Sequence, residues 1–167
     1  MGSRDKGLPS GQIVAKRYRI ERVVGQGGMG AVYHATQTDT GVPVALKLLL
    51  KHFSSSEVEL KRFQREAALV QRIRHPNIVQ LLDFGTTEKD QAFIAFELLD
   101  GQSLNQVLKE QGPIPSRWVA SIARNLLEGL AAAHAQDVLH RDIKPGNVFL
   151  LRGSWKAKLL DFGVAKA

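Results

Sequence analysis

The hydrophobic pattern changes period early in the chain, and that change limits the folds open to it. Between Tyr18 and Leu50 three segments, "YRIERVVGQG", "AVYHATQT" and "VPVALKLLL", read as strands, the first two by clear alternation of apolar and polar residues. Successive side chains of a strand point to opposite faces, so alternation marks a half-buried strand. "TDTG" at 38–41 is a turn signal, and the spacing predicts three antiparallel strands joined by tight turns. From Ser56 the period becomes helical. Phe63, Ala67, Val70 and Ile73 or Arg74 fall at helical spacing on one face, Ser56 is placed to cap the helix, and Glu57 and Glu59 occupy its first turn. "HPN" at 75–77 ends it, because Pro76 disfavours helix in the residue before it. "IVQLLDFG" and "QAFIAFELL" add two more strands around the polar "TTEKD". Five strands and one helix make a small α+β lobe.

The remainder turns helical. Ser103 is expected to cap a short helix carrying Leu104, Val107 and Leu108, and "PIPS" introduces a long one from Trp118 to Ala135. Trp118, Ile122, Leu126, Leu130 and Ala133 form its apolar stripe, and Gly129 in its middle costs helix propensity. After it, "VL" at 138–139, "NVFLL" and "KAKLL" read as short strands around loops, and residues 1–16 read as a flexible arm.

Composition excludes several classes. The 167 residues, 44% hydrophobic and 23% charged, suffice for a globular core. With no cysteine there is no disulfide framework and no thiolate metal site. No apolar run could span a bilayer, the first residues lack an apolar signal core, and "MGSRDK" misses the myristoylation pattern, so a cytoplasmic location is expected. The net charge is +7, but the basic residues do not cluster with aromatics, so nucleic-acid binding is not expected.

The chemistry sits in four places. "GQGGMGAV", Gly25–Val32, is a GxGxxGxV pattern. In a dinucleotide-binding fold these glycines would open a helix; here strand-like residues follow, which suits a hairpin flap whose backbone N–H groups approach phosphate oxygens. A plain glycine-rich hairpin fits the stretch equally well. "VALK" puts Lys47 in an apolar strand, where an ammonium needs a partner; Glu66 is the candidate, although a lysine reaching solvent from a strand end satisfies the same pattern. "LHRDIKPGNVFL" packs His140, Arg141, Asp142, Lys144 and Asn147 between apolar flanks, and Asp161 ends the apolar run of "LLDFG". Two acids and an amide converging on one cleft suit Mg²⁺, a hard cation that takes oxygen ligands and phosphates, and leave one acid to orient a hydroxyl. His140 reads as a core histidine that shapes the loop.

The ordered set "GQGGMGAV", "VALK", Glu66, "HRDIKPGN" and "DFG" resembles the motif series of eukaryotic-type protein kinases, and its texture is most similar to bacterial serine/threonine kinases. The resemblance runs from about Tyr18 to Ala167. It implies a two-lobe α+β fold: an arm over 1–16, a complete five-stranded N-lobe with one helix over 17–96, and a hinge with a truncated, mostly helical C-lobe over 97–167. It implies Mg-ATP in the cleft and phosphoryl transfer to serine or threonine hydroxyls of a protein substrate. By position, Gly25, Gln26, Gly27, Gly28 and Gly30 match the phosphate flap. Lys47 matches the residue on the α- and β-phosphates, held by Glu66. Val32, Ala45 and Phe149 match the apolar contacts to adenine, with Phe96 as gatekeeper and Glu97 to Leu99 as the hinge. Asp142 matches the acid that takes the hydroxyl proton, Lys144 a residue on the transferring phosphate, and Asn147 and Asp161 the Mg²⁺ ligands. Val70, Leu81, His140 and Phe162 match the stack that links helix position to the active state.

The sequence departs from the family after "DFG", where an activation segment, an "APE"-like motif and further helices would follow. The platform for a protein substrate is therefore missing, and Arg141, which resembles a binder of a phosphorylated activation loop, has no such loop in the chain. The expectation is a piece of a longer kinase, which could carry a membrane anchor beyond residue 167. The competing readings are a nucleotide-binding regulatory module without catalysis and an inactive kinase fragment, a degenerate remnant that does not fold stably. The incomplete C-lobe face is expected to expose apolar surface to a docking partner or a second copy.

Overall fold

In the computed structural model the structure describes residues 7–27, 30–50 and 56–162. The chain divides into two compact units, Met1–Gln64 with Leu81–Leu98, and Arg65–Gln80 with Leu99–Ala167.

The first unit is built on one sheet. Its strands are β1 (Ile13–Val14), β2 (Tyr18–Gly27), β3 (Gly30–Gln37), β4 (Pro43–Leu49), β5 (Leu81–Thr86) and β6 (Ala92–Glu97), in the order β1-β2-β3-β4-β6-β5, each pair antiparallel. The alternation read from the sequence does its work here. One face of β2, β3, β4 and β6 buries Tyr18, Ile20, Tyr33, Ala35, Val44, Leu46, Phe93 and Ala95 in a single core. Residues paired directly across the strands share a face. Val32 pairs with Lys47, Lys47 with Ile94, and Ala45 with His34 and Phe96, so the opposite face carries Val32, Ala45, Lys47 and Phe96 together.

The sheet has six strands rather than the expected five, and the arm expected over 1–16 is folded from Gly7 onward. β1 lines up beside β2 through Ile13–Arg19 and Val14–Tyr18, after a turn in which both Ala15 and Lys16 take positive φ (51° and 55°). Such turns ordinarily announce themselves with Asn or Gly, and neither is present here. Tyr18 closes the far side of the unit. Its hydroxyl donates to Asp83 Oδ2 at 2.6 Å, Arg17 pairs with the same oxygen at 3.1 Å, and the Arg17 guanidinium lies over the Tyr18 and Phe93 rings.

The division between the units falls within α1 (Glu57–Arg72). The Ser56 hydroxyl accepts the Glu59 N–H at 3.1 Å, as an N-cap should, and Phe63, Ala67, Val70 and Ile73 are buried. The second unit continues with β7 (Gly101–Ser103), α2 (Leu104–Gln111), α3 (Ser116–His134), a 3-10 turn at Pro145–Asn147, β8 (Val148–Leu151) and β9 (Ala157–Leu159). Ser103 caps α2 by accepting the Gln106 N–H, as the sequence predicts. The β7 strand was not legible in the sequence, and the strand expected at Val138–Leu139 is an irregular segment. Val107, Ile122, Val148, Leu150 and Ala157 form this unit's core.

Gly129 shows why α3 tolerates a poor helix former. A methyl group there would stand 3.1 Å from Asn77 O and 3.3 Å from Leu159 Cδ1, so its absence lets α3 lie close against the Asn77 segment and β9. Two asparagines then fix β9 by its backbone. Asn77 Nδ2 donates to Ala157 O and Ala157 N–H donates to Asn125 Oδ1, both at 2.9 Å. Of the predicted stripe, Ile122 and Ala133 are buried, whereas Val119 and Leu127, off the stripe, are 50% and 66% exposed.

Candidate active site

The glycine-rich pattern is a hairpin between two strands, which removes the helix-opening alternative. β2 and β3 pair up to Gly27–Gly30, with bulges between Ile20 and Arg22 and between Val23 and Gly25. Gly30 must be glycine: its φ is 136°, and a Cβ would lie 1.9 Å from Leu48 O. Gly25, Gln26 and Gly27 are exposed along β2, and Gly28 lies outside the described residues. The face that carries Val32, Ala45, Lys47 and Phe96 adjoins this hairpin through the Gly25–Val32 pair. Lys47 is only 8% exposed. Glu97 ends β6 paired with Val44, and Leu99 begins the second unit.

The charged loop of the second unit is held by its own side chains. Asp142 Oδ2 receives Lys144 Nζ and Asn147 Nδ2, each at 2.8 Å, and Asn147 Nδ2 also donates to Asp142 O at 2.9 Å. Pro145 fits the first helical position of the 3-10 turn that brings Asn147 back to Asp142. His140 is 2% exposed and fixes the loop's other end. Its Nδ1 accepts the Asp142 N–H at 3.2 Å, so the proton sits on Nε2, which donates to Leu160 O at 2.7 Å. The Leu160 N–H in turn donates to Asn147 O at 2.9 Å. Leu160 is thus clamped on both backbone groups by the loop that holds Asp142, and it presents the next residue, Asp161, with a φ of 49°.

Arg141 also takes a left-handed φ, 62°. Two non-glycine residues in that region flank the same small cluster, a conformation that persists only where surrounding bonds enforce it. The loop is charged because it gathers a carboxylate, an ammonium and an amide around one point, and its apolar flanks, Val138 and Val148, anchor it in the core. His140, read as a shaping residue, does that by joining the two segments, and its ring packs on Phe162 at 4.7 Å. Val70 and Phe162 line one small cavity, with Glu66 and Arg141 at its wall. Phe149 pairs with Lys158 in β9 and with Ser103 in β7.

The donor set suits Mg²⁺ shared with a phosphate. Both hydrogen bonds from the Asn147 side chain to Asp142 are donated by its nitrogen, and the amide oxygen is the group it can offer a cation. Among the described residues no three His, Cys, Asp or Glu side chains gather as a protein-only metal site. Mg²⁺ is ordinarily held by one or two carboxylates, water and substrate phosphates, so one carboxylate and one amide are a fitting protein share. Glu66, expected to hold Lys47, lies with Oε1 3.8 Å from Arg141 Nη1. That neighbour was not foreseen, because nothing in the spacing relates residue 66 to residue 141.

A family profile described as the protein kinase domain matches residues 18–167. The chain is 40% identical over 159 residues to the serine/threonine-protein kinase pkn3 of Myxococcus xanthus, an alignment that takes in 93% of this chain and 29% of that protein. It is 36% identical over 161 residues to the serine/threonine-protein kinase PknA of Mycobacterium tuberculosis, covering 94% of this chain and 37% of the relative. The crystal structure of the Mycobacterium tuberculosis PknI kinase domain superposes with a TM-score of 0.83 at 32% identity, covering 95% of this chain and 63% of that one. The chain therefore spans less than two thirds of the domain in that structure and about a third of these longer relatives. The profile takes in residues 18–167 and the superposition 95% of the chain, and the chain belongs to the protein kinase family.

Proposed function

We propose that this chain is the nucleotide-binding and catalytic-loop portion of a bacterial protein serine/threonine kinase, which transfers the γ-phosphoryl group of ATP to serine or threonine hydroxyls of a protein. The observation that carries the reading is the clamp on Leu160, which ties the loop of Asp142 and Asn147 to the residue that precedes Asp161.

In this reading Val32, Ala45, Phe96 and Phe149 contact the adenine, the backbone of Glu97–Leu99 binds its edge, and Gly25–Gly30 lie over the phosphates. Lys47 contacts the α- and β-phosphates. Asn147 Oδ1 and the Asp161 carboxylate would hold Mg²⁺, which when bound would neutralise charge on the phosphate oxygens. Asp142 orients the incoming hydroxyl and accepts its proton as the oxygen–phosphorus bond forms and the bond to the β-phosphate oxygen breaks. Lys144, already on Asp142 Oδ2, is in place to steady charge on the group in transfer. The rate comes from positioning and fixed charge, since the protein forms no covalent intermediate. No helix among the described residues is long and apolar enough to cross a membrane, and we place this domain in the cytoplasm, where ATP is supplied.

The test is phosphoryl transfer from radiolabelled ATP to a generic protein substrate by the complete protein. Asp161→Ala and Lys47→Met are each expected to abolish labelling while the protein remains folded. Unchanged turnover in either variant overturns the assignment.

A further inference from the structure

We propose that the segment Gly7–Val14 braces the glycine-rich hairpin from behind, and that Tyr33 is the positioning residue through which it acts on nucleotide binding. The inference rests on the reading of that hairpin as the phosphate flap.

The hairpin needs outside support. Every residue of β2 from Arg22 to Gly27 is exposed, and along this stretch β2 is an edge strand paired with β3 alone, whereas β3 is backed by β4 as far as the Gly30–Leu49 pair. Bulges on either side of Arg22 and Val23 interrupt its ladder, so β2–β3 pairing alone does not fix its angle. The N-terminal segment supplies fastenings on one face. Tyr33 pairs across with Val23 and Gln26 with Ala31, which places Tyr33 and Gln26 on the face opposite Val32. The segment crosses that face. The Leu8 N–H donates to the Tyr33 hydroxyl at 3.1 Å, and a methyl group on Gly7 would stand 3.3 Å from both that hydroxyl and Gln26 Nε2. Leu8 packs on the core of the sheet.

The other end of the segment is anchored independently. The Gly11 N–H donates to Ile20 O at 2.7 Å, the Ile20 N–H donates to Gln12 O at 2.9 Å, and β1 continues the pairing along β2. The brace therefore touches the hairpin near its tip at Gln26, at its root through Tyr33, and below its bulges at Ile20. Tyr33 is 3% exposed, and a buried phenol is placed where its hydroxyl has a partner. Here the partner is the brace. A hairpin held at its angle before the nucleotide arrives has less freedom to lose on binding, so the brace favours affinity by pre-organisation.

The experiment compares the full chain, a variant lacking residues 1–10, and Tyr33→Phe. Two readouts are used: affinity for a fluorescent ATP analogue with Mg²⁺, and amide exchange over residues 22–34 without nucleotide. Tyr33→Phe keeps the ring and removes only the acceptor; it is expected to weaken binding about fivefold, and the truncation about tenfold or more. Both should speed exchange in the hairpin while leaving exchange in α3 unchanged. In a complete kinase the same changes should raise KM for ATP and leave kcat and KM for the protein substrate alone, a split that general destabilisation would not produce. Unaltered affinity and unaltered hairpin exchange in the truncated chain would overturn the brace. If the intact chain fails to bind the analogue, the flap reading fails instead, and faster hairpin exchange on truncation still supports a brace whose purpose is not nucleotide binding.

Discussion

The glycine-rich hairpin and the Asp142 loop carry equally clear motifs, yet they are held in opposite ways. The hairpin is exposed along β2 from Arg22 onward, broken by bulges and glycine-rich. The loop is closed on itself by Lys144, Asn147 and His140, and two residues beside it are forced into left-handed backbone. In the proposed reading, a flap that admits and releases a large polyanion keeps few side-chain bonds of its own. In the same reading, a carboxylate that meets one hydroxyl and one phosphorus in line is fixed from several sides, because an ångström of misplacement is costly in rate. The two regions differ in where their support comes from: the hairpin leans on the N-terminal segment outside it, and the loop is held by its own side chains.

Changes in the Asp142 loop should have the largest effect. Asn147→Ala removes both bonds to Asp142 and a proposed cation ligand, and phosphoryl transfer by the complete protein should fall by at least about a hundredfold. The same change leaves Asp142 with one fewer buried partner and should lower stability to urea by about 1–3 kcal/mol. A variant with near-normal transfer would dissolve the contrast between the regions.

The hairpin sharpens the contrast by its own asymmetry. Gly30→Ala drives a Cβ into Leu48 O at positive φ, so β3 and β4 must separate locally, at a cost of about 2 kcal/mol or more in urea unfolding. Gly25→Ala meets nothing within 4 Å and should change stability by less than about 0.5 kcal/mol, so any loss of nucleotide affinity there reports on the flap and not on the fold. Equal stability losses at the two positions would show that the exposed strand is as tightly held as its root.

A modest effect is expected at Tyr18, which opens the strand that ends in the glycine hairpin but faces away from it into the core. Burial, together with the Asp83 carboxylate that accepts its proton, pushes the phenol above its usual value of 10. The folded chain thus keeps the proton when the unfolded chain begins to release it. The resulting stability is fully present below pH 10 and is lost progressively as pH rises above it. Tyr18→Phe should cost about 1 kcal/mol at neutral pH and flatten the alkaline limb of the stability curve, measured by urea midpoints from pH 8 to pH 11. An alkaline limb that survives in the variant would assign the effect to another group.

Most of the architecture was legible because it rests on local rules. Alternation located β2 and β3, Ser56 and Ser103 marked two helix starts, and glycines followed by strand residues distinguished a hairpin from a dinucleotide fold. Legibility failed where the deciding interaction lay outside the local window. β1 was missed because Ala15 and Lys16 make a left-handed turn without the residues that signal one. The strand expected at Val138–Leu139 was read from two apolar residues, and there the backbone is irregular as it enters the His140 loop. Of the site, the residue types were plain, but the clamp on Leu160 was not, since it uses backbone groups that any residue would supply.

The sequence by itself determined the order of the three helices and of the strands other than β1 and β7, the chemistry available at Lys47, Asp142, Asn147 and Asp161, and the family to which those residues point. Periodicity and motif spacing are properties of short windows, and short windows suffice to set them. Only the tertiary structure decided which groups meet across long separations: Asn77 on Ala157, 80 residues apart; Tyr18 on Asp83, 65 apart; Leu8 on Tyr33, 25 apart; and Glu66 beside Arg141. Those meetings depend on how the chain closes on itself, and the side chains involved carry no local mark of the partner they will find.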